Sequence, residues 1–260
     1  MTRYAIGIEY SGSAYCGWQR QPHCDSIQQH VEAAIGFVAN HRIELACAGR
    51  TDSGVHAIEQ VAHFETEAMR SERGWILGSN CRLPLDIRLK WVLPVTEEFH
   101  ARFSALGRAY RYIIFNSLVP SAVFHDRASW EFHQLDHENM NEAAQILVGE
   151  HDFSAFRAAG CQAKSSQRNI HSIEISRNGE FVFLDIRANA FLYHMVRNIA
   201  GSLIAIGKGD RDGAWFRQVF ESGRRTLAEA TAPATGLYFL KAYYPLQYKL
   251  PTELNKPVLF

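Results

Sequence analysis

The sequence predicts an α+β protein built of two ferredoxin-like halves. Each half runs βαββαβ, and the two are expected to join at a central seam through a mainly antiparallel sheet. Three observations carry the expectation. Period-two apolar alternation recurs along both halves, segments of helical period separate the alternations, and 260 residues exceed what one small core needs while falling short of two full-size enzymes.

Residues 3–10 alternate into a strand, and Ser26 stands at the N-cap of a helix whose apolar face is Ile27, Val31, Ala34, Ile35 and Val38. Residues 43–47 and 61–66 read as strands, residues 71–81 as a helix stopped by Pro84, and residues 88–95, with Trp91, Val92 and Leu93, as a fourth strand. Past a boundary near residues 103–107 the order returns: a strand at 108–115, a helix at 136–148, and a hairpin of 170–176 with 180–187. The hairpin turns at Asn178-Gly179, which tolerate positive φ. A helix at 191–206 with Met195, Val196, Ile199 and Leu203 on one face, a short helix at 215–221 and a last strand at 237–244 complete the second half. The chain thus divides into 1–105, carrying the loop around Asp52, then 106–250, then a docked or loose tail at 251–260 with Pro251 and Pro257. No residue-level similarity links the halves, so the repeat is architectural.

A hydrophobic share of 47% against 21% charged residues fits a globular chain and excludes disorder, collagen repeats and a coiled-coil rod. Lys+Arg and Asp+Glu both number 27, so a polyanionic partner must be held by a local patch, not by a global field. The five cysteines (Cys16, Cys24, Cys47, Cys81, Cys161) include no pair at zinc-ribbon or redox spacing, which suits a reducing cytoplasm. The first residues lack a signal pattern, and no apolar run approaches the roughly 18 residues of a membrane span. A soluble, unprocessed cytoplasmic protein with no membrane partner is the expectation.

The most pointed stretch is Ala48-Gly49-Arg50-Thr51-Asp52-Ser53-Gly54-Val55-His56-Ala57, between two predicted strands. Gly49 and Gly54 allow close backbone approach to a bulky ligand, and Arg50 would favour an ionised Asp52, a nucleophile or general base. The same residues also fit an Asx turn beside a surface ion pair. Phe99-His100-Ala101-Arg102-Phe103 and Arg108-Ala109-Tyr110-Arg111-Tyr112 interleave rings with cations, as RNA binding wants, or as an amphipathic strand would. Residues 153–173 hold no acid but carry Arg157, Lys164 and Arg168, which suits a phosphate backbone or a solvated linker. On the predicted helix His194 and Arg197 share a face, and Arg197 wants an anion: Asp52, a phosphate or Asp185.

Other chemistries are set aside. Gly201 to Gly207-Lys208 has five residues between its glycines where a Walker A loop has four, and Gly209 replaces the magnesium-holding hydroxyl. The dinucleotide, nucleophile-elbow and zinc-deaminase patterns are absent. His56 and His63 match no standard ligand spacing, so neither metal nor organic cofactor is expected. Two alternatives stay beside catalysis on RNA: a non-catalytic RNA-binding module, and a metal-dependent hydrolase using His56 and His63.

The chain resembles, over nearly its whole length, the TruA family of tRNA pseudouridine synthases. The likeness rests on Gly17-Trp18-Gln19-Arg20-Gln21 after the first strand, the Ala48–His56 loop, and His63-Phe64-Glu65. It continues in Phe99-His100-Ala101-Arg102-Phe103-Ser104, Tyr110-Arg111-Tyr112, Asp152-Phe153, Ala188-Asn189-Ala190-Phe191, His194-Met195-Val196-Arg197-Asn198 and Gly236-Leu237-Tyr238. The resemblance implies a cofactor-free isomerase that turns uridine into pseudouridine at positions 38, 39 and 40 of the tRNA anticodon arm, and a homodimer. It implies Asp52 as the catalytic aspartate, Tyr110 as a substrate-stacking ring, and Arg197 as the arginine that pairs with the aspartate at the substrate. It further implies Arg50, linked to nucleotide flipping, and Arg70 as tRNA contacts, with Phe99, His100, Ala101, Arg102, Phe103, Gly160, Cys161, Gln162, Ala163 and Lys164. Ser53 stands where the family often has alanine, and Leu118 where it often has a basic residue.

Overall fold

The computed structural model describes residues 1–251; the rest of the expected tail, from Thr252 on, lies outside the described residues. The chain is α+β, and its described residues divide into two compact units, one of residues 1–106 with 238–251, the other Gly107–Leu237.

The first unit opens with β1 (Thr2–Tyr10), α1 (Ile27–Ala39), β2 (Ala46–Cys47), β3 (His56–Thr66), α2 (Glu72–Asn80) and β4 (Ile87–Val95). β1 lies antiparallel to both β3 and β4, and β2 lies antiparallel to β3, the 4-1-3-2 strand order of a ferredoxin-like unit. Ala5, Ile6 and Ile8 are fully buried with Val31 and Trp75 of the helices. Phe64 stacks on Tyr4 and meets Trp75 edge-on at 5.4 Å. Each fully buried large side chain of this kind contributes roughly 1.5–3 kcal/mol.

β2 is shorter than expected. Leu45 N–H donates to Glu32 Oε1 (3.0 Å), and Leu45 O accepts from Gln28 Nε2 (3.3 Å), so side chains of α1 replace the ladder partners that residues 43–45 were expected to find. β3 is longer than expected, because Ala57 and Gln60 pair with Tyr10 and Ile8.

The second unit holds β5 (Gly107–Asn116), β6 (Ser129–Glu131), α3 (His137–Ala144), β7 (Gly149–Asp152), β8 (Gln167–Asn178), β9 (Phe181–Ala188), α4 (Met195–Gly207) and α5 (Gly213–Ser222). β9 is antiparallel to β5 and β8, β7 is antiparallel to β8, and β6 runs parallel to β5. Tyr112, Leu184, Ile199 and Leu203 form its fully buried centre. β6 and β7 are short additions to the expected pattern. The hairpin turns one residue later than Asn178-Gly179: Asn178 pairs with Phe181, leaving Gly179 (φ 57°) and Glu180 as the loop. Positive φ confined to the first loop residue is what a II′ turn asks of glycine.

The helix expected from residue 191 begins at Met195, since His194 sits at φ 58° in the left-handed region. Tyr193 O accepts from Ala158 N–H (3.1 Å), and Tyr193 N–H donates to Cys161 Sγ (3.5 Å). These tertiary bonds capture the groups a longer helix would use. His194 and Arg197 therefore do not share a helix face.

The last strand, β10 (Leu237–Tyr243), runs parallel to β3 at Tyr238↔His56 and Phe239↔Ala57. The sequence reading carries the second half to residue 250, whereas the compact units part after Leu237. Among the described residues no helix is long and apolar enough to cross a membrane. Cys16 and Cys24 stand in disulfide contact, and Cys47, Cys81 and Cys161 are free.

Candidate active site

The Asp52 loop leaves β2 and enters β3, and its backbone is tied down on both sides. Ala48 N–H donates to Val61 O (2.7 Å), and the fully buried Gln60 donates through Nε2 to Gly49 O (2.6 Å). Thr51 O accepts from Trp18 N–H (3.0 Å), and the Thr51 hydroxyl meets that of Tyr10 at 2.7 Å. Asp52 O accepts from Val55 N–H (3.1 Å), closing a turn in which Gly54 has φ 79°. Tyr15 O takes both Ser53 Oγ (3.1 Å) and Gly54 N–H (3.4 Å).

Residues 12–17 pack backbone to backbone against this loop. A Cβ on Gly12 would lie 2.0 Å from Val55 O, and one on Gly17 would lie 2.5 Å from Thr51 O and 2.8 Å from the Asp52 carbonyl carbon. Side chains are excluded there, so the loop is held without slack. Asp52 is half-buried and Arg50 exposed.

His56 and His63 turn their Nδ1 atoms to backbone amides. His56 accepts from Gly12 N–H (3.2 Å) and stacks on Tyr238 at 4.6 Å. His63 accepts from Ala101 N–H (3.2 Å), and burial, aided by the charges of His100 and Arg3, pushes its pKa down to about 4. Among the described residues no cluster of three or more His, Cys, Asp or Glu could hold a metal ion.

His63 seats the segment that follows β4. Phe99 and Ala101 are fully buried, and Ala101 O accepts from Tyr244 Oη (2.6 Å), so these two anchor the segment and present no side chain outward. His100 Nδ1 accepts from the N–H of Arg102 and Phe103 (3.1 and 3.3 Å). Arg102 and Phe103 are the exposed members, the guanidinium 5.5 Å from the ring centroid. Arg70, also exposed, donates to Val38 O (3.1 Å) at the end of α1 and to Met69 O (2.9 Å).

In the second unit Tyr110, 9% exposed on β5, meets Phe191 edge-on at 4.9 Å. Its neighbour Arg111 clamps both oxygens of Asp185 at 2.7 Å and lies over Phe183 at 4.6 Å. Asp185 thus serves Arg111. Arg197 Nε donates to Ala232 O (2.8 Å), and Ala232 N–H returns a bond to Arg197 O (3.1 Å). Asn198, fully buried, donates to Phe156 O (2.8 Å) and accepts from Thr231 Oγ1 (2.6 Å) and Arg225 (3.1 Å).

The basic loop at 158–164 is shaped by Arg157, which donates from one nitrogen to Cys161 O (2.8 Å) and Ala163 O (2.9 Å). Gly160, at φ 79°, and Gln162 and Lys164 stand exposed; Cys161 and Ala163 are half-buried. Burial opposes ionisation of the Cys161 thiol, but the N–H groups of Tyr193 and Ala163 with the Arg157 guanidinium outweigh it and set its pKa below the ordinary thiol value. Sequence reasoning missed Ala232 altogether, and it missed Arg157's part as a clamp and the bond that ties Tyr10 to Thr51; each acts through a hydrogen bond that no local pattern announces.

A ferredoxin-like unit with an aspartate on a braced, glycine-permitted turn, and an arginine and exposed basic loops elsewhere in the chain, make up a candidate site for chemistry on RNA. The sequence profile described as tRNA pseudouridine synthase matches residues 6–104 and 143–245, taking in both Asp52 and Arg197, and the chain belongs to that family. A Hydrogenovibrio crunogenus protein named tRNA pseudouridine synthase A is 56% identical over 260 residues, 100% of this chain and 99% of its own length. Its namesake in Glaesserella parasuis is 51% identical over 258 residues, 99% of this chain and 98% of its own. Among solved structures, a chain of a Cbf5–Nop10–Gar1 complex superposes with a TM-score of 0.37 at 14% identity, over 91% of this chain and 48% of that one, so this chain spans about half its length.

Proposed function

We propose that the chain isomerises uridine to pseudouridine in the anticodon arm of tRNA, at positions 38, 39 and 40, with Asp52 as the catalytic carboxylate. The observation that supports the reading is the bracing of the Asp52 turn: backbone or neighbouring side chains of Trp18, Tyr10, Tyr15 and Val55 hold it, and Gly12 and Gly17 give it close backing. A carboxylate carried on so fixed a backbone needs little reorganisation of its loop when charge develops on the sugar or base.

The reaction breaks a nitrogen–carbon glycosidic bond, turns the uracil and forms a carbon–carbon bond, so no net oxidation or phosphoryl transfer is involved. Extruding the nucleotide from its stack costs a few kcal/mol. The exposed Arg50 and the ring of Tyr110 offset that cost, and Arg197 holds the substrate. Arg70, Arg102, Phe103 and the exposed residues of 160–164 track the RNA, while Phe99 and Ala101 set the segment that carries Arg102. The chain works in the cytoplasm as a homodimer.

The test is mass-spectrometric mapping of pseudouridine in unmodified tRNA incubated with the protein, beside Asp52→Asn. The parent is expected to modify the three anticodon-arm positions, and the variant to bind the same tRNA while its turnover falls on the order of 10³-fold or more. Equal yield from both proteins, or modification confined to another arm, removes the reading.

A further inference from the structure

The loop between β1 and α1 carries two cysteines that the site above does not use. Backbone and side-chain bonds close this loop before any sulfur is considered. Cys16 N–H donates to Asp25 O (2.9 Å), Gln21 and Cys24 form an antiparallel bridge, and Gln21 Nε2 donates to Cys16 O (3.2 Å). Ile27 and Gln28 N–H donate to Gly17 O (3.2 Å) and Trp18 O (3.0 Å). The Cα atoms of Cys16 and Cys24 come to 6.0 Å, inside the roughly 4.4–6.8 Å that disulfides span. Both residues are half-buried, within reach of a small oxidant. The other thiols differ: burial pushes Cys47 up to about 12, Cys81 stands exposed, and Cys161 belongs to the basic loop of the second unit.

We propose that Cys16 and Cys24 are an oxidation site, a dithiol that hydrogen peroxide closes to an intramolecular disulfide across the segment backing the Asp52 loop. The thiolate of one cysteine attacks a peroxide oxygen and breaks the O–O bond. One oxygen becomes the hydroxyl of a sulfenic acid, and the other leaves as water. The second thiol attacks the sulfenic sulfur, the S–O bond breaks, and a second water leaves. Two electrons pass from the two sulfurs to the peroxide, and both thiol protons end in the water released.

Gly17 and Trp18, which touch the Asp52 loop, follow directly on Cys16. The bonds that close the backbone pass through neither sulfur, so on this proposal the sulfur bond forms without moving them. Turnover is therefore unchanged by oxidation, while unfolding becomes harder because the unfolded chain loses loop freedom.

The experiment uses the full chain, reduced with dithiothreitol and then exposed to hydrogen peroxide in native buffer, followed by thiol blocking and peptide mapping. Cys161 is the rival target, so the readout is linkage, not loss of thiols. Expected are a Cys16–Cys24 linked peptide, a melting midpoint about 5 °C above that of the reduced chain, and the same pseudouridine yield in both states. In Cys24→Ser the linked peptide and the shift both vanish. Cys16 and Cys24 still open to alkylation after peroxide, linkage of either to Cys81 or Cys161, or a shift that survives in Cys24→Ser would each overturn the proposal. So would a loss of turnover that dithiothreitol reverses, since the backbone would then not be closed beforehand.

Discussion

The hydroxyls of Tyr10 and Thr51 lie 2.7 Å apart in the buried interior of the first unit, one residue before Asp52. Tyr10 is the last residue of β1 and 3% exposed, so a rigid strand end fixes the loop through one oxygen. The Thr51 carbonyl is fixed separately by Trp18 N–H, which leaves the peptide leading into Asp52 little freedom.

Tyr10→Phe keeps the ring and strands the Thr51 hydroxyl, at a cost of about 1–2 kcal/mol. The expected kinetic result is a fall in kcat with KM for tRNA unchanged, because the variant loosens the carboxylate and touches no RNA-facing residue. Adding Thr51→Val removes the stranded group, so stability is expected to recover part of the loss while kcat does not. Chemical denaturation and steady-state kinetics on the three proteins check this, and a rise in KM with kcat intact would place Tyr10 in binding instead.

His63 sets a pH dependence of stability. Its folded pKa is about 4, against an unfolded value of about 6.5. Between those values the unfolded chain binds a proton that the folded chain refuses, so stability rises with pH there; it is fully present above about 6.5 and is lost as pH falls toward 4. At about 1.4 kcal/mol per pKa unit the loss is on the order of 3 kcal/mol. His63→Gln supplies an oxygen for Ala101 N–H and no titrating ring. Comparing urea midpoints at pH 7 and pH 4.5, the parent is expected to fall further than His63→Gln, the carboxylates contributing alike to both. Equal falls would show that His63 protonates without disturbing Ala101.

Much of the fold was legible because local signals agreed with tertiary structure. β1, α1 and α2 stand where their periods put them, and Ser26 is the N-cap of α1 as expected, although its side chain makes no capping bond. Two of the departures share a cause. At residues 43–45 and 191–194, α1 and the loop around Cys161 supply partners that a period cannot foresee. The site was legible in the same measure. Asp52 and Arg50 advertise themselves by glycine and charge, whereas the Tyr10–Thr51 bond joins residues 41 apart and Arg197 finds Ala232 at a separation of 35. Phe99 and Ala101 show the converse: an aromatic and basic motif singles out a segment without saying which of its members face inward.

Arg50 and Lys164 are exposed cations in different units. If each meets one phosphate, Arg50→Ala and Lys164→Ala should each weaken tRNA binding and lower the slope of log K against log salt by about 1, and the double variant by about 2. Filter binding across a salt series reads this directly. An unchanged slope in either single variant would take that residue out of the RNA footprint.

Gly201 fixes Arg197 from behind. A Cβ at Gly201 would sit 2.0 Å from Ala230 O, and backbone cannot yield as a flexible side chain would. Residues 230–232 would have to withdraw from α4, taking with them Ala232 O, the acceptor of Arg197 Nε. Gly201→Ala is expected to cost about 1–3 kcal/mol of stability, and to lower turnover with a smaller effect on tRNA affinity, since the loops that carry Arg50 and Arg102 belong to the other unit. Gly209→Ala is the matched control. Gly209 has φ 79° with nothing within 4 Å of a Cβ, so alanine there strains the backbone by about 1 kcal/mol and displaces no neighbour. Loss of stability in both variants with loss of turnover only in Gly201→Ala is the expected pattern. Equal turnover in the two would mean that Arg197 keeps its place without Ala232.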